Sequence, residues 1–279
     1  MNQYGVTHFT LKDNMSKITH TSNSGVFCSH FSDTQTCSTA DNGAFPRVCE
    51  TAANDDESFS IFKQDPVFTS ILEHVAPDLG LKYYEWFSLN KKIIKLLDKF
   101  KANDRFGSPT IIDYEFGSIS PSTLRYIKIL SDLSQINLEN KDIVEIGGGY
   151  GGQYTVLRQY AKPKSYTFID LPEVLKLQER YVKENNLDDI TLNFYNSETL
   201  PTMKPDLVIS NYAFSECNAE IQDIYLARII KNSKRGYILH NSYRGYDVDS
   251  FINHTGKNVK KYKERPQTCS AGNTVLLTW

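Results

Sequence analysis

Apolar residues recur along this chain with two different periods, and the change of period divides it. From about residue 56 to residue 140 they fall three and four apart. After Asp65-Pro66, with proline at the first helical position, come Phe68, Ile71, Leu72 and Val75, the spacing of one buried helix face. Pro77 and Gly80 punctuate. Tyr83, Trp86 and Phe87, then Ile93, Ile94, Leu97 and Phe100, predict one or two more helices. Asn103 to Gly117 reads as a loop. Ser120 caps a helix that opens on Pro121 and lines its buried face with Leu124, Ile127, Leu130 and Leu133. The whole stretch is expected to be a helical cap with no second sheet.

From Asp142 short apolar runs alternate with helical patterns. Strands are predicted over 142–147, Tyr166–Ile169, Thr191–Tyr195, Asp206–Asn211 and Tyr237–His240. Helices are predicted over 152–161, from Leu171-Pro172 through Glu184, and over Ile221–Ile230. Asn258–Lys263 and Thr274–Trp279 read as a last pair of strands. Such alternation predicts an α/β fold, a mostly parallel sheet with helices on both faces. Residues 1 to 55 are rich in Ser, Thr, Asn and Asp and hold few large aliphatics, so they are expected to be a loosely ordered leader.

Composition narrows the function classes. The chain has 279 residues, 40% of them hydrophobic and 23% charged, and a net charge of −2. That balance argues against nucleic-acid binding by bulk positive charge. No apolar run approaches a membrane span, and Met1–Lys12 lacks the apolar core of a signal peptide. A cytoplasmic protein is expected. The five cysteines form no C-x-x-C pair, and no tight Asp/His cluster is visible, so no metal is expected.

The chemistry gathers at Val144-Glu-Ile-Gly-Gly-Gly-Tyr-Gly-Gly-Gln153, where a strand meets a helix through five glycines. Glycine admits positive φ and leaves no Cβ between backbone and ligand, and the helix start offers free N–H groups. Gly147, Gly149 and Gly152 satisfy the dinucleotide fingerprint, so an NAD(P)-dependent oxidoreductase is one reading. Glu145-x-Gly147-x-Gly149-x-Gly151 resembles instead the first motif of class I S-adenosylmethionine (SAM) methyltransferases. A non-catalytic binding protein of the same shape is the third reading.

In an open α/β sheet ligands sit beyond the carboxyl ends of the strands. This rule selects Asp170 after the second strand, for ribose hydroxyls or as a helix cap, with Leu171 beside it. It selects Asn196 and Ser197 after the third, for an adenine edge or as a plain turn. After the fourth come Asn211 and Glu216, and after the fifth His240. The expected cofactor set is Glu145, Gly147, Gly148, Gly149, Gly151, Gln153, Asp170, Leu171, Asn196, Ser197 and Asn211. His240 or Glu216 is expected to take a proton, with His240 ahead because neutral imidazole is a base near pH 7.

Three longer stretches carry a resemblance. Asp142–Gln153, Phe168-Ile-Asp-Leu-Pro-Glu-Val174 and Ser210-Asn-Tyr-Ala-Phe-Ser-Glu216 resemble the sugar O-methyltransferases of bacterial polysaccharide gene clusters. So do Ser120–Tyr126, Phe62–Pro66 and Ile71–Val75 upstream. The resemblance spans about residues 56–279. It implies a class I methyltransferase sheet of seven strands, one of them antiparallel, behind an N-terminal helical cap. It implies SAM as cofactor and a sugar, sugar-nucleotide or glycan hydroxyl as acceptor. It assigns cofactor roles to Glu145, Gly147, Gly149, Gly151 and Asp170. The expected organisation is a leader over 1–55, a cap and substrate region over 56–140, and a SAM-binding domain over 141–279.

Overall fold

The computed structural model describes residues 40–268 and 274–279. Residues 1–39 of the expected leader lie outside the described residues. Its last part is not loose: Ala44–Asn54 forms a helix, α1, that buries Phe45, Cys49 and Ala52. The sequence hides this helix because its buried face is made of one aromatic and small residues rather than aliphatics.

Six more helices follow: α2 (Asp56–Ile61), α3 (Pro66–Ile71), α4 (Pro77–Phe87), α5 (Lys91–Ile94), α6 (Leu97–Phe100) and α7 (Pro121–Leu133). Two starts are set as the sequence predicts. The Asp65 carboxylate accepts the Val67 and Phe68 N–H groups at 2.8 and 3.2 Å. Ser120 Oγ accepts Thr123 N–H at 3.1 Å. The stretch read as a loop holds a small hairpin, β1 (Ile112–Tyr114) and β2 (Gly117–Ile119). So the cap does contain a second sheet, of two strands. Aromatic stacking holds it to the helices, with Phe116 3.5 Å from Tyr84 between ring centres.

Helix α7 departs from the expectation of one buried face. Nearly its whole surface is buried, including Arg125 and Lys128, because it is sandwiched between α4 and α8 (Gly152–Arg158). The Lys128 ammonium pairs with the Asp132 carboxylate on the next turn, at 2.9 Å.

The main sheet has seven strands: β3 (Asp142–Ile146), β4 (Ser165–Ile169), β5 (Thr191–Tyr195), β6 (Leu207–Asn211), β7 (Arg235–His240), β8 (Lys260–Lys263) and β9 (Val275–Thr278). Their order is β5-β4-β3-β6-β7-β9-β8. The first five are parallel, and β9 runs antiparallel between β7 and β8. Seven strands with one antiparallel make the class I methyltransferase sheet that the resemblance implies. The connecting helices are α8, α9 (Pro172–Glu184), α10 (Ala213–Glu216), α11 (Ala219–Arg228) and α12 (Val248–Thr255).

The sheet separates two cores. Ile143, Phe168, Ile209 and Leu239 face the cap side, against Phe62, Phe68, Tyr150 and Tyr181. Val144, Ile146, Val208 and Ile238 face the other side, against Phe214, Phe251 and Leu277. The period of two along each strand decides which core a residue joins.

Trp279, just after β9, packs across the neighbouring strand β7. Trp279 lies over Gly236 of β7, where an added Cβ would stand 2.1 Å from the indole ring, and its Nε1–H donates to Ser233 Oγ at 3.0 Å. Gly236→Val is therefore expected to displace the indole and lower stability by about 1–3 kcal/mol, the usual cost of overpacking. Urea unfolding followed by tryptophan emission checks this, and an unchanged midpoint would contradict it.

Candidate functional site

The carboxyl end of β3 passes directly into the glycine loop. Gly147, Gly149 and Gly151 have φ of 74°, 56° and 93°, a region that side chains with a Cβ rarely occupy. Space is as limiting as torsion. A Cβ on Gly147 would meet Ala213 Cβ at 2.0 Å, and one on Gly149 would meet Leu72 Cδ1 at 3.0 Å. The loop therefore runs between the cap and the turn after β6.

Its one large side chain anchors it. Tyr150 is fully buried, with ring centres 5.0 Å from Tyr181 and 5.8 Å from Phe62. Its hydroxyl accepts from Asn103 Nδ2 at 3.0 Å. Lys63 reaches into the same cluster. Its ammonium lies 4.2 Å from the Tyr150 ring centre and donates to the Asn103 carbonyl at 2.7 Å. Burial pulls the Lys63 ammonium down to about 8, against the opposing pull of Glu73 and Asp104.

Asp170 stands at the end of β4, beside the loop. Its Oδ1 accepts Leu171 N–H at 2.9 Å, and its Oδ2 accepts Gly149 N–H at 3.2 Å and Gln178 Nε2 at 2.9 Å. Gln178 Nε2 also donates to the Gly149 carbonyl at 2.7 Å. Asp170 thus fixes the loop rather than capping α9, whose cap residue is Leu171. Glu145 lies beneath the loop, 1% exposed, and its Oε2 accepts from Tyr166 at 2.7 Å. Burial raises both carboxyls to about 7. Hydrogen bonds from Leu171, Gly149 and Gln178 oppose the rise at Asp170; Tyr166 opposes it at Glu145, and the Asp170 charge adds to it there. Every hydrogen-bond donor to these two carboxyls among the described residues is neutral.

The other expected residues divide. Asn211 ends β6 facing the cap side, and its buried Oδ1 has no hydrogen-bond partner among the described residues. Ser197 and Leu171 are half-buried beside the ends of β5 and β4. Asn196 is spent on its own turn, where Oδ1 accepts Glu198 N–H at 3.1 Å and Thr199 N–H at 2.9 Å. Gln153 is fully buried and donates to the Tyr126 carbonyl at 3.3 Å. That bond ties α8 to α7, and the Gln153 Oε1 is buried with no hydrogen-bond partner among the described residues. Glu216 Oε1 accepts from Asn241 at 2.9 Å, which links the turns after β6 and β7.

His240 is the clearest correction. Its place in β7 turns it toward the second core, where it is fully buried between Phe214 and Phe251. Nδ1 accepts Ser242 N–H at 3.1 Å, and burial pulls the imidazole down to about 4. The ring is neutral, as a base must be, but it lies on the face of the sheet away from the cap.

Sequence reasoning missed Gln178, Tyr150, Lys63 and Glu73. Gln178 carried a signal: it is the polar residue on the buried face of α9, among Val174, Leu177, Tyr181 and Val182. A buried amide amid apolar neighbours needs partners, and here they are the loop and Asp170. Among the described residues no three His, Cys, Asp or Glu side chains gather to hold a metal ion.

No protein-family model and no curated protein matches the chain. Among solved structures it is similar to the pyocyanin biosynthetic protein PhzM, with 8% identity, 57% of each chain covered and a TM-score of 0.41. The chain thus spans 57% of the length of that protein. It is similar to the YcgJ protein of Bacillus subtilis, with 11% identity over 49% of this chain and 70% of that one, at a TM-score of 0.41. It is also similar to a TehB-like SAM-dependent methyltransferase of Corynebacterium glutamicum, with 14% identity over 52% and 83%, at 0.40. Likeness this distant adds no weight to the fold, which rests on the strand order and directions.

The carboxyl at Asp170 has a consequence for stability. Folded, it holds its proton up to about 7; unfolded, it releases it near pH ~4. Between those values the folded state binds more protons, so stability falls as pH rises. Thermal midpoints measured from pH 5 to pH 8 are expected to fall less steeply in Asp170→Asn than in the native protein. Equal slopes would contradict the buried, proton-holding carboxyl.

Proposed function

We propose that this protein transfers a methyl group from SAM to a hydroxyl of a sugar, sugar-nucleotide or glycan precursor. The observation that carries the cofactor part is the pair of carboxyls at the glycine loop. Glu145 and Asp170 are raised to about 7 by burial, and their donors among the described residues are all neutral. A ligand with positive charge relieves such a pair, and SAM carries an ammonium and a sulfonium. A pyrophosphate brings negative charge to the same loop, which disfavours the NAD(P) reading.

The residues present fit that cofactor. The glycines leave the backbone open where a Cβ would fill the space. Asp170 ends its strand with a carboxyl that can accept ribose hydroxyls beside the bonds it takes from Gly149 N–H and Gln178. Leu171 and Ser197 are placed for the adenine, and Asn211 Oδ1 is an acceptor on the cap side of the sheet. SAM supplies an electrophilic methyl on a good leaving group. The protein's task is then to orient the acceptor hydroxyl and remove its proton. Gln178 and Tyr150 hold the loop in register for this.

The sugar acceptor rests on the resemblance of the three motifs and of the upstream stretches. Polar and aromatic side chains where the cap meets the end of β6 suit a hydroxylated molecule. Tyr83 and Tyr212 hydrogen-bond Thr268 Oγ1 at 2.6 and 2.7 Å there. No helix among the described residues is long and apolar enough to cross a membrane. We place the reaction in the cytoplasm, with a small-molecule acceptor and without nucleic acid.

Isothermal titration tests the cofactor. S-adenosylhomocysteine (SAH) and SAM are expected to bind, and NAD is not. Asp170→Ala is expected to weaken SAH by about 1.5–3 kcal/mol, the scale of hydrogen bonds to a charged group. Gly149→Val is expected to abolish binding, since its side chain meets Leu72. NAD binding without SAH binding would overturn the reading. Mass spectrometry across a panel of UDP-sugars and glycans then identifies the acceptor by the mass of one added methyl group.

A further inference from the structure

The cap carries an acidic side chain against the glycine loop that the reading above leaves without a role. Leu72 would touch a Cβ on Gly149 at 3.0 Å, so the segment after α3 lies directly on the loop. The next residue is Glu73. Ser122 on α7 and Tyr150 in the loop itself both act on its carboxyl. Its Oε1 is buried and has no hydrogen-bond partner among the described residues. Arg125, 6% exposed, holds this segment in place: its Nη2 donates to the Leu72 carbonyl at 3.2 Å.

A buried carboxyl oxygen without a partner is costly in a structure that serves only stability. A structural account is available for the rest of the group, since Lys63 and Arg125 both act on Glu73 through their charges. It does not give the buried Oε1 a partner. Burial outweighs both cations and raises the Glu73 carboxyl above its ordinary value, which moves a carboxylate toward the range of a working base. The two strand-end candidates are less well placed. His240 faces the other core, and Glu216 has committed an oxygen to Asn241.

We propose that Glu73 is the group that takes the proton from the acceptor hydroxyl, an assignment that rests on the methyl-transfer reading above. The hydroxyl oxygen forms its bond to the methyl carbon. The electron pair of the carbon–sulfur bond stays with sulfur, which becomes a neutral thioether. The hydroxyl proton passes to Glu73 Oε1. The acceptor thus lies between the cap and the cofactor loop.

The test uses the full chain and two probes that need no acceptor. SAH is neutral at sulfur, whereas sinefungin bears an ammonium group where SAM bears its methyl. That ammonium points along the line of transfer, toward the acceptor oxygen and its base. Native protein is expected to bind sinefungin roughly tenfold more tightly than SAH, the scale of one charge-assisted hydrogen bond. Glu73→Gln is expected to keep its SAH affinity and lose that preference. Glu73→Asp, which keeps the charge but withdraws the oxygen, is expected to fall between them and stands in if the glutamine variant fails to fold. SAH binding with a preference that survives Glu73→Gln, or with none in the native protein, would overturn the assignment and leave Glu73 as a partner of Lys63 and Arg125. Failure of the native protein to bind SAH at all would instead overturn the methyl-transfer reading.

Discussion

The site depends on how a chain of glycines is held still. Five glycines within residues 147–152 lose more conformational freedom on ordering than any other residues would. Three contacts offset that loss. The Gln178 side-chain amide donates both to the Gly149 carbonyl and to Asp170, so loop and strand end are locked together. Asp170 takes the Gly149 N–H. Tyr150 plants the loop in the aromatic cluster of Phe62, Phe68 and Tyr181. Because those rings come from the cap and from α9, cap and sheet share one core on that side. The cap is a wall of the site.

The same burial that orders the loop creates an electrostatic imbalance beneath it. Glu145 and Asp170 sit close enough for the charge of one to act on the other, and both are desolvated. A stability-optimised protein would place neutral residues at both positions. Keeping two acids there favours a cation and disfavours an anion, which separates the methyltransferase reading from the dinucleotide reading more sharply than glycine spacing does. A second buried polar group lies across the loop, where Lys63, Glu73 and Arg125 bring two cations and a carboxyl together. The loop thus divides an acidic cofactor side from a mixed-charge cap side.

Much of this was legible in the sequence. The two periods separate cap from sheet, Asp65 and Ser120 cap the helices assigned to them, and the strand ends place Asp170 and Asn211. Some features were hidden for physical reasons. Helix α1 buries small residues, so its periodicity is faint. The hairpin of β1 and β2 is three residues per strand and is held by stacked rings rather than by alternation. His240 was misjudged because the strand-end rule gives the end but not the face; counting in twos from Leu239, which faces the cap side, turns it away. Asn196 spends its side chain on its own turn, and Gln153 donates to the preceding helix while its Oε1 keeps no partner among the described residues, which sequence alone does not reveal. Glu73 carries no signal in the sequence beyond being an acid two residues past a short helix.

The central claim is that residues 147–151, Asp170 and the end of β6 together form a SAM site. Amide hydrogen–deuterium exchange with and without SAH tests it most directly, because the proposed contacts fall on these backbone segments. SAH is expected to slow exchange across the glycine loop, at Leu171 and after Asn211, and NAD to leave all three unchanged. Protection that appears elsewhere, or equal protection by NAD, would contradict it.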